Sequence, residues 1–143
     1  MTEDERTHAI HLLRNYYANF EKLANIERRL REINDELYNI RSVRTDREPT
    51  QGGTSGAEAR LDKLIDDKTR YEYRQRKINA DIAATDGALQ ALRPFDAEIL
   101  VRYYCFGLSY TVLAAQYNYS ERSMRRMKNH ALRVFSDIIH AIP

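Results

Sequence analysis

The stretch Ser120-Glu-Arg-Ser-Met-Arg-Arg-Met-Lys-Asn-His-Ala-Leu-Arg-Val-Phe-Ser-Asp-Ile138 decides how this chain is read. Met124, Met127, Ala131, Val134 and Ile138 recur at steps of three and four, and Leu132 and Phe135 widen the same apolar side. That spacing predicts an amphipathic helix with one face in a core. The opposite side carries Arg122, Arg126, Asn129 and Arg133, again at steps of four, three and four, with Arg125 and Lys128 flanking the row. No Asp or Glu is interleaved with these cations, as it is on faces that merely keep a helix soluble, and only Glu121 offsets them locally. Ser120 stands where an N-cap oxygen is wanted.

The residues before this helix set its context. Pro94 opens a short helix expected over 95–106, with Ile99, Leu100, Tyr103 and Tyr104 apolar around much of its circumference. Gly107 suits the left-handed residue that closes such a helix. Ser109 is the expected cap of a second helix running to about residue 117, with Val112, Leu113 and Ala114 facing inward. Asn118 then interrupts it, as the non-glycine residue that best tolerates a left-handed turn. Short helix, tight turn and capped helix form the outline of a helix-turn-helix, whose last helix enters the DNA major groove. Arg reads guanine edges, Asn reads adenine edges, and Arg and Lys neutralise phosphate. The expected contacts to double-stranded DNA are therefore Ser120, Glu121, Arg122, Ser123, Arg125, Arg126, Lys128, Asn129 and Arg133. Tyr110 and Tyr119, beside the turn, are candidates for touching the DNA backbone, whereas Tyr103, Tyr104 and Tyr117 read as core.

The first 93 residues have a different texture. They carry 17 basic and 17 acidic side chains, while residues 94–143 carry 6 and 4, five of the six lying between Arg122 and Arg133. Leu23, Ile26, Leu30, Ile33, Leu37 and Ile40 alternate steps of three and four, the mark of a heptad stripe on one long helix over about 5–43. Ile10, Leu13, Tyr17 and Phe20 extend that stripe upstream with one shortened step. Pro49, Gly52, Gly53 and Gly56 mark a loop over 44–56. Ser55 and Glu58 have the spacing of a capping box that starts a second helix over about 57–92. Its stripe is Leu61, Leu64, Tyr71, Ile78, Ile82, Leu89 and Leu92, with Lys68, Gln75 and Thr85 as polar members. The expected architecture is all-α: an antiparallel, coiled-coil-like hairpin over 1–93, then a three-helix module over 94–143. Two narrow seams satisfy one another only in part, which leaves room for a second copy of the chain; a purely intramolecular hairpin is the competing reading.

Composition excludes several other classes. A chain of 143 residues with 5 Gly and 3 Pro lacks the turn residues and β-branched runs of a sandwich or a doubly wound sheet. No apolar run approaches the ~20 residues of a membrane span, because Arg102 interrupts the most hydrophobic stretch. The sequence begins Met-Thr-Glu-Asp-Glu, acidic where a secretory signal would be basic, and its single Cys105 permits no internal disulfide. A reduced, cytoplasmic setting is expected, with Cys105 as a small core residue. There is no Gly-rich phosphate loop, no His-Glu-x-x-His and no Cys-x-x-Cys. His8 and His11 share a helix face without a third ligand in sight, and His130 adds an imidazole to the basic helix. No enzyme activity, cofactor or metal is expected.

Leu108-Ser109, Leu113-Ala114, Tyr119-Ser120, Arg126 and Ala131-Leu132 resemble the region-four helix-turn-helix of bacterial sigma factors. The chain also resembles, along its whole length, phage and prophage transcription regulators of the ArpU/RinA type. Those proteins place a charged helical hairpin, with a loop similar to Pro49-Thr-Gln-Gly-Gly53, before a sigma-like module. The resemblance implies DNA binding at a phage promoter region in a bacterial host cell and control of late genes, with RNA polymerase as a further partner. Carried over by position are Ser120, Arg122 and Arg126 as motif residues, with Ser109 and Ser120 as caps. Val112 stands where the family often has an acidic residue, and Asn118 where glycine is common. Two other functions fit the same outline: a small terminase subunit for phage DNA packaging, and a helical adaptor that binds polymerase or a sigma factor.

Overall fold

Thr2 opens the first helix with a reciprocal cap. Its hydroxyl accepts from the Glu5 amide at 3.1 Å, and the Glu5 carboxylate accepts from the Thr2 amide at 3.4 Å. The computed structural model describes residues 1–46 and 55–141, with side chains described over 1–42 and 56–141. The protein is all-α, and no strand forms among the described residues. Its elements are α1 (Glu3–Asp46), α2 (Ser55–Ala91), α3 (Pro94–Leu100) with a following wide helical turn (Val101–Cys105), α4 (Tyr110–Tyr117) and α5 (Glu121–Ile139). The expected loop through Pro49-Thr-Gln-Gly-Gly53 and the expected capping contact from Ser55 lie outside the described residues. No described helix is long and apolar enough to cross a membrane.

The chain divides into two compact units, one of residues 1–20 and 80–143 and one of residues 21–79. In the second unit, Ile33 and Leu37 of α1 and Leu64 of α2 are buried together, with Ile40, Leu61 and Tyr71 packed around them. Glu36 of α1 pairs with Arg60 of α2 at 3.7 Å. Within this unit, a later position on α1 therefore meets an earlier one on α2, as in an antiparallel pair.

The first unit includes residues from both sides of positions 93 and 94. One core holds Ala9 and Leu13 of α1, Ala88 and Leu92 of α2, Leu100 and Tyr104, and Ala131, Leu132 and Phe135 of α5. The ends of both long helices thus belong with the C-terminal elements. Ala9 and Ala88, at 0% and 2% exposure, are small enough to let helices approach closely there. The same core corrects the upstream stripe of α1. Tyr17 and Phe20 are about half exposed, while Ala9, Leu12, Leu13 and Asn19 are buried. Tyr16 is drawn into the contact, its hydroxyl donating to Asp86 at 3.0 Å; burial, and then the Asp86 carboxylate, push it up to about 12.

The helix expected over 95–106 is made of two parts. α3 begins at Pro94, and the Arg93 guanidinium bonds Asp96 in the first turn at 3.0 Å. From Val101 the turn widens, closed by Phe106 N–H to Val101 C=O and Leu108 N–H to Arg102 C=O, both at 3.0 Å. The extra residue per turn distributes the two tyrosines between cores: Tyr104 is buried among Leu13, Leu100 and Phe135, and Tyr103 packs also against Ile99, Leu113 and Met124. Gly107, at φ 71°, ends the turn in the left-handed region, as its sequence position predicts. Cys105 is half-buried and its thiol donates to the Leu13 carbonyl at 3.1 Å, anchoring this turn to α1.

Candidate nucleic-acid interface

Two serine caps and one left-handed residue position α5. The Ser109 hydroxyl accepts from Val112 N–H at 3.3 Å to start α4. Asn118 ends α4 at φ 59°, ψ 40°, with its own amide bonded to Ala114 C=O. Ser120 then starts α5, its hydroxyl accepting from Ser123 N–H at 3.1 Å and lying 3.0 Å from the Ser123 hydroxyl. Thr111 donates to Glu121 at 2.7 Å across the turn, tying the start of α5 to α4. Beneath the turn Ile99, Leu113 and Met124 are fully buried, with Phe95, Tyr117 and Met127 around them. Arg102 braces the preceding segment from outside, bonded to Glu98 at 2.6 Å and Gln116 at 2.7 Å and stacked over Tyr117. The expectation that Val112 faces inward is corrected. It is 41% exposed, because α4 packs Leu113, with half-buried Tyr110, Ala114 and Tyr117, against the core and leaves Val112 on the other side.

The polar side of α5 is a single open surface. Arg122, Arg125, Arg126, Asn129, His130 and Arg133 line one concavity, all of them exposed, and no carboxylate is among its lining residues. Among the described residues, Arg122, Arg126 and Arg133 form no ion pair. Arg125 is held, its guanidinium 5.0 Å from the Tyr110 ring, which in turn stacks on Tyr103 at 4.8 Å. Burial and then the hydrogen bond to Tyr103 raise the Tyr110 hydroxyl well above its ordinary value, so this phenol stays protonated. Tyr119 is 49% exposed at the turn.

The sequence-derived set therefore divides into three groups. Arg122, Arg125, Arg126, Asn129 and Arg133 share the exposed face, and His130 joins them. Ser120, Glu121 and Ser123 are occupied in starting the helix. Lys128 is a correction: expected to flank the cationic row, it is 4% exposed and lies on the buried side of α5. Its ammonium donates to the Tyr104 hydroxyl at 3.1 Å and sits 4.9, 5.3 and 5.7 Å from the rings of Tyr103, Tyr104 and Tyr110. Burial, reinforced by the charges of Arg6, Arg125 and Arg14, lowers it to about 8. The spacing carried this signal, since Lys128 falls four residues after Met124 and four before Leu132, both buried. The two histidines near the N-terminus also separate: His8 meets His140 at 2.9 Å, and His11 meets Asn15 at 3.2 Å.

Compared with protein-family models, with curated proteins and with solved structures, the chain finds no match. The chemistry of the face must speak for itself. Four guanidinium groups supply planar donor forks suited to phosphate oxygens and to guanine O6 and N7. Asn129 adds the donor–acceptor pair that matches an adenine edge. All five lie on one side of a nineteen-residue helix whose other side is core.

Proposed function

We propose that this protein is a DNA-binding transcription regulator that sets the exposed face of α5 in the major groove of duplex DNA. The observation that carries this reading is the unopposed cationic surface of Arg122, Arg125, Arg126, Asn129, His130 and Arg133, on a helix launched by a tight turn. A helix presented in this way has the diameter of the major groove and offers side chains for both phosphate and base edges. The resemblance to sigma region four and to ArpU/RinA-type regulators supports a role at phage late promoters, with RNA polymerase as a partner and the bacterial cytoplasm as its setting.

Salt dependence tests it. With Lys128 withdrawn from the surface, four arginines remain to displace counterions, so log K against log salt has a slope of about −3.6 for one bound module. In fluorescence anisotropy with duplex DNA, changing Arg122 and Arg126 together to Ala is expected to reduce the slope to about −1.8 and to weaken binding. Affinity and slope that survive this double change unaltered sink the reading.

A further inference from the structure

We infer that a second cationic cavity, distinct from the arginine face of α5, is a binding site for a dianionic phosphate: inorganic phosphate or the terminal group of a small phosphorylated molecule such as a mononucleotide. The cavity lies within the unit of residues 1–20 and 80–143 and has a volume of about 440 Å³. Three cations line it: Arg6 and Arg14 from one side of α1, about two turns apart, and Lys128 from α5. His11, Tyr103 and Tyr104 add further hydrogen-bonding groups, and no carboxylate is among the lining residues. Glu3 reaches Arg6 only at 4.0 Å and is itself 83% exposed.

Lys128 makes this more than a basic patch. A lysine 4% exposed is ordinarily matched by a carboxylate, because an unpaired buried ammonium is costly. Here its close partners are one phenol and three ring faces, none of them anionic. An ammonium has three donors, and Tyr104 takes one. Arg6 and Arg14 lie near enough for their charges to disfavour the protonated lysine, so the cavity concentrates positive potential that an anion relieves. A phosphate monoester carries nearly two negative charges at neutral pH and several strong acceptor oxygens. It matches three convergent cations better than a carboxylate, which would leave two of them unbalanced. The two arginines sit at the more open side, where they can meet an incoming anion. Lys128 and Tyr104 form the buried side.

The test titrates the full chain with inorganic phosphate at constant ionic strength, with chloride as the control, following the Lys128 side-chain signals by NMR. Saturable binding with an upward move of the Lys128 titration is expected, and no saturation up to 20 mM overturns the proposal. Arg14→Gln, at an exposed position, is expected to weaken phosphate binding about tenfold, and Lys128→Met to abolish it. Melting curves of both variants verify folding, and wild-type affinity in a folded Arg14→Gln overturns the site. Tighter binding of adenosine monophosphate than of phosphate assigns a nucleotide; equal or weaker binding assigns the free ion. Displacement of phosphate by duplex DNA, with Arg14→Gln weakening DNA binding, overturns the small-ligand assignment. The Arg122 and Arg126 double variant keeps phosphate binding, so this site and the DNA reading fail separately.

Discussion

Replacing Lys128 by Met keeps an unbranched side chain of similar length in the same place and removes only the charged head. The consequence is a change in how stability depends on pH. Folding lowers the Lys128 ammonium from 10.5 to about 8, equivalent to about 3 kcal/mol against the folded state below pH 8. Between about pH 8 and 10.5 the unfolded chain holds a proton at this lysine that the folded chain has released, so the penalty shrinks as pH rises. From pH 7 to pH 9 the relief is about 1 kcal/mol. Cys105, pushed up to about 11 by burial, and the raised tyrosines Tyr16 and Tyr117 oppose this at higher pH, since the unfolded chain then ionises first. Those groups are shared by both proteins and cancel in the difference. The assay is urea unfolding of wild type and Lys128→Met at pH 7 and pH 9. The stability of the variant relative to wild type is expected to fall by about 1 kcal/mol between the two. A difference that stays constant or grows would refute a desolvated, unpaired ammonium at this position.

Two further changes probe the α4 turn and its core. Asn118→Ala forces a β-carbon-bearing residue without a local hydrogen-bonding side chain into φ 59° and is expected to cost about 1 kcal/mol, whereas Asn118→Gly stays within about 0.5 kcal/mol of wild type; thermal melts separate them. Leu113→Ala is expected to cost about 2–5 kcal/mol in chemical denaturation, and Val112→Ala, one residue away and 41% exposed, less than about 0.5 kcal/mol.

Much of the C-terminal segment was legible because its signals are local. Gly107 and Asn118 adopt positive φ for the reason their residue types suggest, and Ser109 and Ser120 cap the helices they precede. The two faces of α5 follow from periodicity alone, and Met124, Ala131, Leu132 and Phe135 are buried as their spacing requires. At Lys128 charge and spacing point opposite ways, and spacing prevails. Its angle on the helix pointed inward, but nothing in the local sequence announced three tyrosines to receive it.

The amino-acid order by itself determined the helical class, the heptad stripes of the long helices, the turn at Asn118 and the cationic row on α5. These depend on backbone preferences and on residues a few positions apart. Only the tertiary structure decided that Ala9, Leu13, Ala88 and Leu92 join the core of α5, that Tyr17 and Phe20 remain exposed, and that Arg6, Arg14 and Lys128 converge on one cavity. A stripe specifies that a face must be covered, not which distant face covers it. That choice rests on shape and volume between segments about a hundred residues apart.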